Sequence, residues 1–169
     1  VAAMNPCPCG YYNDPLHHCH CSARQIARYQ ARVSGPLLDR IDIQIGVAPV
    51  PYRELSKMES GEASCDIRRR VMLARSIQAE RYRGMPGVFT NADVKSRDLI
   101  KVCGLGENDI ERLYRMIENL NLSARAYDRI LRVSRTIAHL AGHERVCDED
   151  LKEAATFRLL DEDGNSYLF

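Results

Sequence analysis

Residues 122–142 read LSARAYDRILRVSRTIAHLAG, and this stretch decides the fold. Ser123 carries the hydroxyl of a helix N-cap. Tyr127, Ile130, Leu131, Ser134, Ile137, Ala138 and Ala141 follow at three- and four-residue steps, the period of a helix with one buried face. Gly142 supplies the left-handed stop. A face this apolar needs partners, and the neighbouring sequence provides them in the same pattern. Asp148 starts a last helix expected to reach about Leu160. On the other side, Glu107 or Asn108 opens a helix with Ile110, Leu113, Tyr114, Ile117 and Leu120 on one face. Ser96 caps a short helix ending near Cys103 and Gly104. Ser64 caps a long one to about Arg83, with Ile67, Val71, Ala74 and Ile77 as its stripe, stopped by Gly84 to Gly87. Residues 64–160 are therefore expected to form one all-helical domain around Ile67, Val71, Leu113, Ile117, Ile130, Leu131 and Ile137. The polar residues 161–169 read as a flexible tail.

Upstream the pattern changes. Pro49, Pro51, several charges and then Ser60–Gly61 mark residues 51–63 as a linker. In residues 1–50, Val1 to Asn5 reads as a short strand, and the chain opens as if a strand were already in progress, as a piece of something larger. Ser22 caps a helix to about Val33, with Ile26, Tyr29 and Val33 on one face. Ser34–Gly35–Pro36 breaks it, and Leu37 to Arg40 makes one helical turn. Ile41, Ile43, Ile45 and Val47 alternate with Asp42, Gln44 and Gly46, which predicts a strand with one buried face.

Cys7, Cys9, Cys19 and Cys21 form the pattern C-x-C-x9-C-x-C. Each C-x-C can place two sulfurs on one side of a turn. The polar loop between them, with Asn13, Asp14 and Pro15, is long enough to bring the pairs together. Four thiolates suit tetrahedral Zn²⁺, and a closed shell of four leaves no position for substrate, so the expected role is structural. Two disulfides, an iron–sulfur cluster or free thiols are the competing readings. The odd total of seven cysteines and the lack of a secretory mark speak against disulfides and for a cytoplasmic protein. His17, His18 and His20 lie in the same loop, as substitute ligands or as solvated neighbours. Cys65, Cys103 and Cys147 are scattered and read as packing residues.

The 169 residues can bury a real core, and a formal charge of +1 gives no global bias toward polyanions. The basic residues are mostly arginine, since Lys57, Lys95, Lys101 and Lys152 are the only lysines. Arginine is the better fork for phosphate, although genome composition explains such usage equally well. No apolar run approaches the length of a membrane span.

Two arginine settings stand out. Arg125, Arg129, Arg132 and His139 form one stripe on the helix after Ser123. Such stripes are usually solvated, but Arg125 lies in the opening turn, where free N–H groups also favour an anion. Arg40 stands between a helical turn and the predicted strand, in LLDRID. An Arg at such a corner can project toward a neighbouring molecule; taken alone, it is expected to pair with Asp39 or Asp42. The chain contains no G-x-x-x-x-G-K-[ST] phosphate loop and no H-E-x-x-H.

Three segments together, residues 2–10 (AAMNPCPCG), 34–42 (SGPLLDRID) and 122–138 (LSARAYDRILRVSRTIA), resemble the C-terminal part of magnesium-chelatase-like AAA+ ATPases of the ComM type. That branch is linked to DNA processing in bacterial natural transformation. The likeness runs from about Val1 to Leu160. It implies a mainly α chain: residues 1–50 as the C-terminal edge of an AAA+ α/β core carrying the zinc loop, and residues 64–160 as the helical lid.

The resemblance also implies roles. Asn5 matches the polar residue that orients the attacking water at the end of a core strand. Arg40 matches the arginine finger that reaches a neighbouring subunit's nucleotide, and Arg125 the lid arginine that contacts phosphate. The longer protein would be an ATP- and Mg²⁺-dependent motor, a homo-oligomeric ring of six subunits acting on DNA in branch migration. Without a phosphate loop this stretch alone should not hydrolyse ATP. A magnesium chelatase ATPase subunit and a non-catalytic, zinc-stabilised interaction domain are the other readings.

Overall fold

The computed structural model describes residues 1–47, 50, 61–120 and 122–158. Among these residues all regular structure is helical. The elements are α1 (Ala23–Gln30), α2 (Gly35–Leu38), α3 (Ser64–Arg81), a 3₁₀ turn (Asn91–Asp93), α4 (Ser96–Cys103), α5 (Glu107–Asn119), α6 (Ala124–Ala141) and α7 (Asp148–Thr156).

The hub is α6, which packs against α3, α4, α7 and the 3₁₀ turn. Its start is set as expected: the Ser123 side chain accepts from the Ala126 N–H. Its end is a Gly142 cap at φ 76°, and His143 N–H closes on the Ala138 carbonyl at 2.7 Å. Ile130, Leu131, Ser134 and Ala138 are fully buried. They meet Leu99, Val102 and Cys103 of α4, Leu113 of α5, and Leu151, Ala154 and Ala155 of α7. Each large side chain so buried contributes roughly 1.5–3 kcal/mol. Tyr127 stacks on Tyr114 of α5 at 5.7 Å between ring centres. Gly104 ends α4 at φ 70°, a left-handed conformation that favours glycine, and a Cβ there would lie 3.1 Å from the Arg145 side chain, which would have to shift.

Several expectations are corrected. Among the described residues there is no strand, neither at Val1–Asn5 nor at Ile41–Val47. A strand exists only as part of a ladder, and none of these residues pairs with another extended segment. Ile43, Ile45 and Val47 consequently stand exposed. On α3 the stripe is buried only at Ala74; Ile67 and Val71 are exposed because the packing against α6 does not extend to the first turns. Ala141 is exposed at the end of α6. Helix α7 stops at Thr156 rather than Leu160. Most of the expected linker, residues 51–60, and the expected tail, residues 161–169, lie outside the described residues.

The core also contains two polar side chains that periodicity did not assign to it. Arg135 and His139 are each 1% exposed. Arg135 donates to the carbonyls of His143 and Glu144. Tyr82 donates to Asn91 Oδ1 at 2.6 Å, and Asn91 Nδ2 donates to Thr136 at 2.7 Å and lies 3.4 Å from His139 Nδ1.

Candidate functional site

Backbone turns build the cysteine centre. Gly10, at φ 86°, donates its N–H to the Cys7 carbonyl, and Asn13 sits at φ 61°. The Asp14 carboxylate accepts from Leu16 N–H at 2.7 Å and also faces the His17 N–H and ring, fixing the far end of the loop. Ser22 then starts α1 with a capping box to Gln25, as the sequence predicts. At the other end of α1, Gln30 Nε2 donates to the Pro6 carbonyl at 3.3 Å, which ties the helix back to the first thiol pair.

All four sulfurs lie within 4.8 Å of one another. Cys7 is 3.3 Å from Cys9 and 3.8 Å from Cys19, and Cys9 is 3.6 Å from Cys19. A tetrahedron with spokes of ~2.3 Å has edges of about 3.8 Å, so the cluster has the size of a four-thiolate metal site. The cluster can hold a metal ion. A backbone hydrogen bond from Tyr11 is the main cause that lowers the Cys9 thiol to about 6. At Cys19 the Cys21 backbone acts in the same sense, but burial and the neighbouring thiols outweigh it and push the group up to about 12. Cys21, bonded by the Cys9 backbone, is likewise raised by burial and the adjoining thiols. A bound dication favours all four thiolates.

A second group of donors, His143, Cys147 and Asp150, also lies within 4.8 Å. It is the start of α7. Asp150 accepts the Cys147 N–H at 2.9 Å, and His143 Nδ1 lies 3.1 Å from both of its oxygens. These contacts already occupy the carboxylate. Cys103 is buried and raised to about 12 by desolvation, which makes it a packing residue.

Asn5 is exposed, with its side chain beside Gly10 rather than at the end of a strand. Arg125 is exposed in the first turn of α6. Arg40 is exposed too, and donates to the Pro36 carbonyl at 2.9 Å. Its expected pairing with Asp39 or Asp42 is corrected here, because other arginines hold both carboxylates. Arg129 of α6 bonds Asp42. Arg158 lies 3.6 Å from Asp39 and donates to the Ile41 carbonyl. Of the expected stripe on α6, Arg125 alone is exposed. Arg129 is engaged, Arg132 donates to the Val94 carbonyl at 3.0 Å, and His139 is buried. Neither Arg129 nor Arg158 was identifiable as a partner of residues 39–42, since the contacts span 87 and 117 residues of sequence.

Two family models match the chain. Magnesium chelatase, subunit ChlI, matches residues 1–55, and the ChlI C-terminal model matches residues 61–158, more than half of the chain. The chain belongs to the magnesium chelatase ChlI family. Competence protein ComM of Haemophilus influenzae is 40% identical over 161 residues, 95% of this chain and 30% of that protein. YifB of Escherichia coli is 37% identical over 162 residues, with 95% and 31% covered. An uncharacterised protein of Mycobacterium tuberculosis is 35% identical over 158 residues, with 94% and 31% covered. The chain thus spans less than a third of the length of these relatives. No helix among the described residues is long and apolar enough to cross a membrane.

Proposed function

We propose that this chain is the C-terminal part of a ring-forming AAA+ ATPase that moves on DNA, with residues 1–50 as the edge of its ATPase core and residues 64–158 as its lid. The alternating residues Ile41 to Val47 would then find their ladder in a sheet built by the longer protein. Exposed isoleucines without a partner are what such a segment leaves behind.

The observation that carries the reading is the state of Arg40. Two aspartates flank it in sequence, yet both are held by other arginines, and among the described residues its guanidinium, at an exposed corner, meets a single carbonyl. A group kept charged, exposed and out of local ion pairs can meet the γ-phosphate of a nucleotide on a neighbouring subunit. There it stabilises the charge that spreads over the phosphoryl oxygens in the transition state. Arg125, exposed and without a hydrogen bond or ion pair among the described residues, is set among the open N–H groups of the α6 start and suits phosphate of the subunit's own nucleotide. Asn5 is placed in the same proposal as the residue that orients water. The four-cysteine loop takes structural Zn²⁺ and stiffens the segment that carries Asn5.

DNA is preferred over a porphyrin as the partner because the ComM relative is a competence protein and is 40% identical over 95% of this chain. The test is ATP hydrolysis by the full-length protein, purified as a ring. Single-stranded or branched DNA should raise the rate, and a magnesium porphyrin precursor should not. Stimulation by porphyrin with Mg²⁺, and none by DNA, would establish the chelatase reading instead.

A further inference from the structure

Residues 39–42 read Asp-Arg-Ile-Asp. Simple electrostatics pairs Arg40 with one of these carboxylates, which are one and two residues away. The structure shows the opposite. Arg129 Nη1 holds Asp42 Oδ1, and Arg158 Nη2 stands 3.6 Å from Asp39 Oδ1. The Arg158 side chain is only 4% exposed, and burial lowers its affinity for a proton. A guanidinium this deeply buried is held in place by what it bonds, here Asp39 and the Ile41 carbonyl. The Gln44 N–H adds a bond to the Phe157 carbonyl at 2.9 Å, and Gln44 Nε2 returns to Leu38 at 2.8 Å. Residues 38–44 are thereby fastened to the helical domain by four contacts, through Asp39, Ile41, Asp42 and Gln44, and none of them involves Arg40.

The other end of this fastening matters equally. Arg129 lies four residues, one helical turn, after Arg125 on the same face of α6. A single ion pair therefore stands between the two exposed arginines, with Arg40 two residues from its carboxylate and Arg125 one turn from its guanidinium. Helix α6 is packed on several sides, against α3, α4, α7 and the 3₁₀ turn. Residues 38–44 have no ladder of their own among the described residues and follow whatever holds them.

We propose that the Asp42–Arg129 pair, braced by Asp39–Arg158, couples the two nucleotide contacts: nucleotide held at Arg125 sets the position of α6, and α6 sets the position of Arg40. Asp42, Arg129, Asp39 and Arg158 are positioning residues. The coupling rests on the roles proposed above for Arg40 and Arg125. It lets a subunit present its finger to a neighbour according to the nucleotide that it carries itself, which gives communication around a ring a defined physical link.

The experiment uses the full-length protein and measures kcat, KM for ATP and the Hill coefficient. The variants are Asp42→Arg, Arg129→Asp, the swapped double variant, the size-preserving Arg129→Gln, and Arg40→Ala as reference. Each single change at 42 or 129 should lower kcat on the order of tenfold. KM should stay within about twofold, and the Hill coefficient should fall toward one. The swapped pair should regain most of kcat and the Hill coefficient, which a role in folding alone would not produce. If a reversed charge prevents folding, Arg129→Gln carries the same expectation. Single variants with wild-type kcat and Hill coefficient, or a folded swapped pair no better than its parents, overturn the coupling. If that happens while Arg40→Ala is inactive, the coupling alone is wrong. If Arg40→Ala keeps full turnover, the finger reading fails and takes the coupling with it.

Discussion

Arg135, two turns before the end of α6, donates to the carbonyl of His143 at 2.7 Å, just past the helix end. Its second terminal nitrogen bonds the Glu144 carbonyl at 3.0 Å. The side chain is buried, so one long charged residue inside the core holds the turn that joins α6 to α7. Charge-assisted hydrogen bonds are worth about 1.5–3 kcal/mol, and a buried carbonyl left without a donor costs a further 1–3. The Glu144 carbonyl keeps Arg81 at 2.8 Å, whereas His143 has no substitute among the described contacts. Arg135→Ala should therefore destabilise by about 3 kcal/mol or more, read from urea unfolding. Arg135→Lys should recover only part of this, because one ammonium cannot span both carbonyls. A loss below about 1 kcal/mol for the alanine variant would mean that water replaces the guanidinium.

What the sequence disclosed and what it hid divide along physical lines. Ser22, Ser123, Gly104 and Gly142 mark helix ends by local chemistry, and they do so correctly. The cysteine spacing is local as well, and the four sulfurs do converge. Ile41 to Val47 alternates as a strand should, but a strand depends on a partner that no local pattern supplies. Ile67 and Val71 have the right spacing on α3 and yet lie beyond the reach of α6. Arg135 and His139 are polar by type, and only the packed structure shows the carbonyls and the Asn91 amide that let them stay inside. The local ion pair expected of Arg40 fails for the same reason. Its nearest aspartates are claimed by Arg129 and Arg158 from distant parts of the chain.

His139 gives the core a pH dependence. Burial, followed by the charge of Arg135, lowers its pKa from 6.5 to about 4. Between those values the unfolded chain binds a proton that the folded chain refuses, so stability rises with pH across the window. The contribution is complete above about 6.5 and is lost as pH falls toward 4. One pKa unit corresponds to about 1.4 kcal/mol, so the loss between pH 7.5 and pH 5 should be on the order of 2 kcal/mol. Urea midpoints at the two pH values would measure it. His139→Leu should flatten the dependence by that amount, while Asn91 keeps its bond to Thr136. An equal decline in the leucine variant would assign the effect to other groups.

The thiol centre predicts about one Zn²⁺ per chain, with zinc–sulfur distances of roughly 2.3 Å by X-ray absorption. Cys7→Ser should lose the metal. The helical domain does not bury the cluster, and the loop is tied to α1 through Gln30 and Pro6. Chelation should accordingly speed hydrogen exchange in residues 5–30 and leave the unfolding midpoint of the helical domain unchanged. Protein purified without chelator that carries no metal and four titratable thiols would end the zinc assignment.

The last prediction separates Arg40 from Arg125 in the full-length ring. Arg125 opens a helix of the lid and should act on nucleotide bound to its own subunit. Arg40 stands at an exposed corner and should act on a neighbour's. Arg40→Ala should then leave nucleotide binding nearly intact and reduce turnover on the order of 10³-fold or more, the usual effect of losing an arginine finger. Arg125→Ala should impair ATP binding, turnover or both. Mixed rings give the decisive comparison, because a finger from one subunit and a phosphate loop from the next make one active site. Rings of Arg40→Ala subunits mixed with phosphate-loop-deficient subunits should regain part of the activity that neither has alone. Of the four ordered neighbour pairs in such a mixture, one puts both defects on the same interface and one leaves an interface intact. Rings that assemble normally but stay inactive on mixing would show that Arg40 acts within its own subunit, since then no arrangement of neighbours can restore a complete site.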